Sequence, residues 1–183
     1  MSTEATRIRD AIIARVQTLA GYTSFRKTPV AQLQPEQLPA MSVFILSEQM
    51  QPDGDANAGE PNFSSTVTIG ISVIRGFEDP ATLEGQVDAD VDAIETLLLC
   101  DPTFVHFGPD PLFEAVTSIN RRRLYPQAGE TYLAELRLEI AFLARVSYPP
   151  RVTDILETVH VTTKPALSGN PTPLSGEITL ETV

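Results

Sequence analysis

The chain has 183 residues, near the size of one domain, and its 42% hydrophobic and 20% charged residues are typical of a globular protein. Its single cysteine, Cys100, excludes an internal disulfide framework and a cysteine-based zinc cluster. The net charge of −11 argues against a protein that binds DNA or anionic lipid through its net electrostatic potential. This charge is concentrated, because residues 48–120 carry fourteen acids and one base, Arg75.

The apolar runs are too short and too interrupted for a membrane segment. No stretch approaches the ~18 consecutive apolar residues of a transmembrane helix. The N-terminal residues mix Glu4, Arg7, Arg9 and Asp10 into the apolar positions, which is unlike the core of a signal peptide. We therefore expect a soluble protein that is made in a cytoplasm and has no membrane partner.

The N-terminal part predicts a helix followed by a buried strand. Apolar residues recur at helical spacing over residues 4–20, with Thr3 placed to cap the start and Gly21 placed to end the helix. The stripe consists of Ile8, Ile12, Val16 and Leu19. A proline-rich linker follows, in which residues 24–27 are compatible with a short strand. The β-branched and aromatic run at residues 41–46 is typical of a buried strand.

The middle of the chain contains the clearest alternation. Residues 51–62 are turn and flexible residues and predict a solvated hairpin loop. Apolar and small or polar residues then alternate over residues 63–73, which predicts a strand with one core face. Asp79 followed by Pro80 is a typical helix start, and the spacing predicts a helix over residues 80–99. Its apolar stripe is Leu83, Val87, Val91, Ile94 and Leu98.

The next segment predicts a β-hairpin. Residues 112–125 form a strand and residues 126–130 a turn. Residues 132–146 contain many helix formers, but their apolar side chains occupy every even position, which favours a long strand over a helix.

These elements predict an α+β fold. We expect a mixed, mostly antiparallel sheet of four to five strands with two helices packed on one face. Residues 1–148 form this domain, and the prolines at 149 and 150 mark its end. Residues 149–183 form a C-terminal β-rich extension with two short alternating runs and too few large apolar residues for its own core. The extension either adds strands to the sheet or docks on another chain.

A search for catalytic chemistry finds one weak candidate. The chain lacks the HExxH, GxSxG, GxGxxG and phosphate-loop motifs. His106 with Asp110 would be an acid–base pair in a proline-rich loop, which is the basis of one alternative, a small hydrolase. A loop histidine with no catalytic role is the better interpretation. We expect no enzyme activity, no metal and no cofactor.

Two charged features point to association instead. The arginine run is Arg121, Arg122 and Arg123. The acidic stripe is Glu84, Asp88, Asp92 and Glu95, at helical spacing beside the apolar stripe. Like charges at this spacing destabilise a helix by ~0.2–0.5 kcal/mol per pair, so an isolated domain gains nothing from the stripe. Each feature is either a solvated face or a surface that meets a partner, and the stripe could also line a space where nucleic acid must not adhere.

Three segments carry a family resemblance. They are LPAMSVFIL at 38–46, the acidic loop before FSSTVTIGISVI at 63–74, and the hairpin FEAVTSINRRRLYPQAGETYLAELRLEIAFL at 113–143. Together with the order of the elements over residues 1–148, they resemble the tail terminator proteins of long-tailed bacteriophages, the minor tail protein U family. The resemblance implies a subunit that closes into a homohexameric ring and catalyses no reaction.

In that family, the ring caps the finished tail tube, stops its polymerisation and offers a surface for joining the head. The implied partners are other copies of the chain, the tail tube protein and the head–tail connector, while DNA passes through the channel without specific binding. The implied location is the tail or neck of the virion, which is assembled in the cytoplasm of the host bacterium. A head–tail connector or stopper of the neck is the nearest alternative, and a monomeric adaptor is another.

A ring suggests a use for the two charged features. Contacts in a ring repeat head to tail, so a basic patch can meet an acidic patch of the next subunit. We hypothesise that the arginine run of one subunit approaches the acidic stripe, or the loop at residues 48–60, of its neighbour.

Overall fold

A computed structural model shows the chain as two compact units, Met1–Tyr148 and Pro149–Val183. It describes residues 3–27, 34–54, 60–77, 80–105, 111–125, 127–128, 131–149, 158–163 and 174–179. Within those ranges, no helix is both long enough and apolar enough to span a membrane.

The described residues of the first unit form one mixed sheet and two helices. The strands are β1 (Ser24–Arg26), β2 (Ala40–Pro52), β3 (Asn62–Phe77), β4 (Ala115–Leu124), β5 (Gln127–Ala128) and β6 (Thr131–Ser147). The helices are α1 (Glu4–Val16) and α2 (Pro80–Leu99), and a 3-10 turn covers Pro35–Gln37. The sheet order is β1-β2-β3-β6-β4, with β5 paired to β6. Among the described strands of this sheet, β1 and β2 form the one parallel pair, so the sheet is mixed and mostly antiparallel. Together with the two helices, it confirms the predicted α+β fold.

The centre of the sheet is the long antiparallel pair β3 and β6. Val67 lies opposite Phe142 and Ile71 lies opposite Leu138, so the apolar positions of both strands share one face. These side chains are buried together with the apolar stripes of both helices, which cover this face. The strand predicted over residues 132–146 is confirmed, because a period of two places the even-numbered apolar side chains of β6, from Ala134 to Ala144, on the core face.

The first helix ends earlier than predicted. Thr3 caps its start as expected, since the Thr6 N–H donates to Thr3 Oγ1 at 3.3 Å. The helix ends at Val16 instead of residue 20, because Thr18 donates both its N–H, at 2.9 Å, and its hydroxyl, at 2.7 Å, to the Arg15 carbonyl. Gly21 adopts φ 91° in the loop that follows and does not end the helix itself.

The strand predicted at residues 41–46 is longer than expected. β2 continues to Pro52, past a register shift between Ile45 and Ser47, into the segment predicted as a loop. This polar part of β2 has no apolar alternation of its own. It stays extended because its backbone pairs with the first half of β3, whose alternation is strong.

The face of the sheet opposite the helices is the open face. Gly70 of β3, together with Phe44 and Leu46 of β2, lies there. A salt bridge between Glu135 and Arg137 of β6 lies on the same face.

The second unit contains a two-stranded sheet. β7 (Thr158–Thr163) pairs antiparallel with β8 (Leu174–Thr179). The two strands overlap only in part with the alternating runs predicted in the extension, which are residues 155–161 and 178–180.

Candidate functional site

The arginine run is divided between the two faces of the sheet. Arg121 lies opposite Leu138 of β6 and Arg123 lies opposite Leu136, so both belong to the face that the helices cover. Arg122 lies opposite Arg137, on the open face. Neighbouring residues of a strand face opposite sides of the sheet, so two of the three members of the run point to the side of α2 and one points away from it.

Three carboxylates of the acidic stripe are held by side chains on β4 or directly after it. The pairs are Arg121 with Glu95, Arg123 with Asp88, and Tyr125 with Glu84. Nε of Arg121 donates to Glu95 Oε1 at 2.7 Å, and the hydroxyl of Tyr125 donates to Glu84 at 3.3 Å. The hydrogen bond and the nearby negative charge raise the pKa of the guanidinium of Arg121 and of Arg123.

This pairing changes the interpretation of both charged features. Helix α2 contains no lysine or arginine that could pair with its carboxylates. The positive charges come from Arg121 and Arg123 of β4, on the face of the sheet that α2 covers. Arg121 and Arg123 therefore have carboxylate partners in their own chain, so their charge complementarity does not require a neighbouring subunit. The hypothesis that the whole run meets a neighbour's acids is not needed for these two residues.

Arg122 and Asp92 remain as candidates for contact with a partner. Both side chains are exposed, and neither makes an ion pair within 4.0 Å in the part of the chain that the structure describes. They lie on opposite faces of the sheet layer, Arg122 on the open face and Asp92 on the outer surface of α2. A role at an interface stays a prediction for both.

A second charged cluster was not predicted. The Asp90 cluster consists of Tyr22, Arg75 and Asp90, which join the loop after α1, strand β3 and helix α2. Nη2 of Arg75 donates to Asp90 Oδ1 at 2.6 Å, and its Nε donates to Oδ2. The Tyr22 hydroxyl donates to Asp90 Oδ1 at 2.8 Å, and the Arg75 guanidinium lies 5.5 Å from the centroid of the Tyr22 ring.

The Asp90 cluster is a buried structural salt bridge. Only 9% of the Asp90 side chain and 16% of the Arg75 side chain are exposed. Burial, together with the hydrogen bond to Asp90, raises the pKa of the Tyr22 phenol well above its ordinary value. Tyr22 is therefore neutral near pH 7, and it serves Asp90 as a hydrogen-bond donor.

The sequence contained a signal for this cluster. Asp90 stands three residues after Val87 and four before Ile94, so it is a charged residue on the apolar stripe of α2. Arg75 is the one base between residues 48 and 120. A buried carboxylate needs a partner, and Arg75 is the nearest base in the sequence.

Two surface depressions among the described residues of the first unit are small. One of about 120 Å³ lies on the open face beside Phe44 and Gly70, and one of about 220 Å³ lies beside Arg7 and Arg145. Sites for small molecules are typically ~300–1,000 Å³. The described residues contain no group of three or more side chains suited to hold a metal ion. His106 and Asp110, the pair considered for a hydrolase, lie outside the described residues.

No protein-family model matches the chain, and no curated protein matches it.

Proposed function

We propose that this chain is a structural virion protein, the tail terminator of a long-tailed bacteriophage. Copies of it form a closed ring, a hexamer as the resemblance implies, at the end of the tail tube. The ring stops polymerisation of the tube protein and provides the surface for joining the head. DNA passes through its channel without specific binding.

The order of the elements carries this proposal. Helix, proline-containing linker, strand, alternating strand, helix and final hairpin follow one another as in the family that the sequence resembles. They build a sheet with both helices on one face, which is the subunit that the resemblance implies.

Deletion of the gene in the phage that encodes the protein tests this function. A terminator limits the length of the tube, so the deletion should yield tubes longer than wild-type tails and not joined to heads. Electron microscopy of the lysate measures both properties, and the wild-type gene supplied in trans should restore tails of normal length. Tails of normal length attached to heads in the deletion lysate would refute the proposal.

The same lysate separates the alternative role in the neck. A head–tail connector or stopper acts on the head side and does not limit the tube. Its loss should leave tails of normal length that are free in the lysate, beside heads without tails. This result would replace the terminator by the connector as the function of the chain.

A further inference from the structure

We infer that neighbouring subunits join by sheet edges, with β4 of one subunit pairing with the free part of β2 in the next. This inference rests on the proposed ring and identifies the surfaces that close it. It places the contact on the backbone edges of the sheet, which differs from the pairing of arginines with acids suggested by the sequence.

Both edges of the sheet offer unpaired backbone. β4 is the last strand on one side, so the outer edge of Ala115–Leu124 has no strand partner among the described residues. On the other side, β1 pairs only with Ala40, Met41 and Ser42. Residues 43–52 of β2 therefore have no partner on their outer edge in the described part of the chain. Unpaired N–H and C=O groups along a strand are a template for another strand.

Exposed apolar side chains are concentrated on these two edges. On β2, Leu46 is 46% and Met50 is 40% exposed; on β4, Ile119 is 40% and Leu124 is 41% exposed. The other large apolar side chains exposed in the described part are Tyr125, directly after β4, and Tyr148, directly after β6. Proteins usually protect a free edge with charge or with a covering element, so apolar residues on both edges indicate that both are covered in the assembly.

The charges of β4 do not protect its whole edge. They are confined to the arginine run at the end of the strand, and residues 115–120 carry none. Arg121 and Arg123 are held against α2 by Glu95 and Asp88. The edge is therefore open to a strand from another subunit over most of its length.

The strand directions favour a head-to-tail contact. β2, β3, β6 and β4 alternate in direction, so β4 runs antiparallel to β2. Two subunits placed side by side in the same orientation therefore bring β4 of one antiparallel to β2 of the other. β4 has ten residues, which matches the length of the free segment at 43–52. Because the two edges differ, the contact repeats around a ring instead of ending at a symmetric dimer.

Two edge-blocked variants test this inference. The β4-blocked variant is Ile119→Lys with Leu124→Lys, and the β2-blocked variant is Leu46→Lys with Met50→Lys. Inward or edge lysines prevent strand addition. We expect each variant alone to be a monomer by native mass spectrometry, and an equal mixture to form dimers of twice the subunit mass, since each variant retains one intact edge. Circular dichroism like that of the wild type shows that each variant is folded.

The outcomes separate this inference from the proposed ring. If the wild type forms a ring and either blocked variant still forms one, the edge contact is wrong while the ring stands. A dimer from one blocked variant alone would indicate a symmetric contact and also overturns the inference. A wild type that is monomeric at every concentration overturns the ring and the edge contact together.

Cross-linking provides a second measurement that does not depend on the lysine variants. In a Cys100→Ser background, Met50→Cys with Ile119→Cys places one thiol on each edge of every subunit. A short bismaleimide should then link neighbours into a ladder that extends beyond the dimer on a denaturing gel. The matched control carries Ala93→Cys, on the exposed surface of α2, in place of Ile119→Cys. A wild-type-like ring that gives no ladder, or the same ladder with the control, contradicts the edge contact.

Discussion

A single glycine lets an aromatic ring lie across the central strands. A Cβ atom at Gly70 of β3 would lie 2.8 and 2.9 Å from two ring carbons of Phe44, and 3.1 Å from Leu46 Cδ1. These distances are shorter than ordinary contacts, and the nearest atoms belong to a rigid ring. Phe44 therefore covers the backbone of β3 on the open face at the position where β3 has no side chain.

We predict that Gly70→Ala destabilises the fold. The added methyl group displaces the Phe44 ring, and overpacking of this kind costs about 1–3 kcal/mol of the free energy of unfolding. Gly85→Ala is the matched control, because Gly85 lies within α2 with nothing within 4 Å of its added Cβ. The control should gain about 0.5–1 kcal/mol from helix propensity. Urea denaturation measures both, and a loss for Gly85→Ala equal to that of Gly70→Ala would refute the steric explanation.

Asp101, two residues after the end of α2, should contribute stability that depends on pH. Hydrogen bonds from the Thr103 hydroxyl at 2.7 Å and the Thr103 N–H at 2.8 Å, and then from Arg15, lower the pKa of the Asp101 carboxyl. A lowered folded pKa means that this stability is present above the unfolded pKa, about pH 4, and is lost as the pH falls through the folded value.

The variant Asp101→Asn tests this dependence. It should be less stable than the wild type at pH 6, and the difference should shrink as the pH is lowered to 3, because protonated Asp101 resembles asparagine. Thermal unfolding at several pH values measures the difference. A difference that stays constant over this range would show that the charge of Asp101 is not the cause.

The Asp90 cluster fixes α2 to the sheet. We predict that Asp90→Asn lowers the free energy of unfolding by about 3 kcal/mol, because it leaves the mostly buried Arg75 without its countercharge. Asp88→Asn on the same helix is the matched control. Its side chain is 56% exposed, so loss of its pair with Arg123 should change the stability much less. Equal losses for the two variants in urea denaturation would show that burial of the pair does not decide its contribution.

The arginines of β4 should matter for the subunit more than for the ring. We predict that Arg121→Ala with Arg123→Ala leaves the oligomeric mass unchanged, because both side chains pair with α2 of their own chain. The melting temperature should fall slightly, since the acidic stripe then loses its cations. Native mass spectrometry and thermal unfolding measure the two effects. Conversion of the ring to monomers by this variant, with its fold intact, would restore the hypothesis of pairing between subunits.

At the scale of elements, the sequence predicted the strands and the helix whose own apolar residues have a clear period. The alternation in residues 63–73 and 132–146 placed β3 and β6 correctly, and the stripe over residues 80–99 placed α2. The last part of β2 could not be predicted in this way, because its polar residues are extended through pairing with β3. The end of α1 was predicted too late, because Thr18 donates its hydroxyl to the Arg15 carbonyl and so competes with the continued helical hydrogen bonds.

At the scale of the whole molecule, the net charge of −11 describes the folded surface poorly. Residues 48–120 carry fourteen of the 24 acids and a single base. Three of these acids nevertheless have cationic partners in the fold: Asp90 pairs with Arg75 of β3, and Glu95 and Asp88 pair with Arg121 and Arg123 of β4. The sequence alone shows that this region has many acids and few bases. It could not distinguish partners in the same chain from partners in a neighbour, because ion pairs far apart in sequence depend on the topology of the sheet.

The mass of the full-length protein in solution tests the central proposal, a self-assembling ring, most directly. Native mass spectrometry over a range of concentrations should show one closed species, six subunits as the family resemblance implies, and no larger series. A monomer at every concentration, or an open-ended series of masses, would contradict the ring.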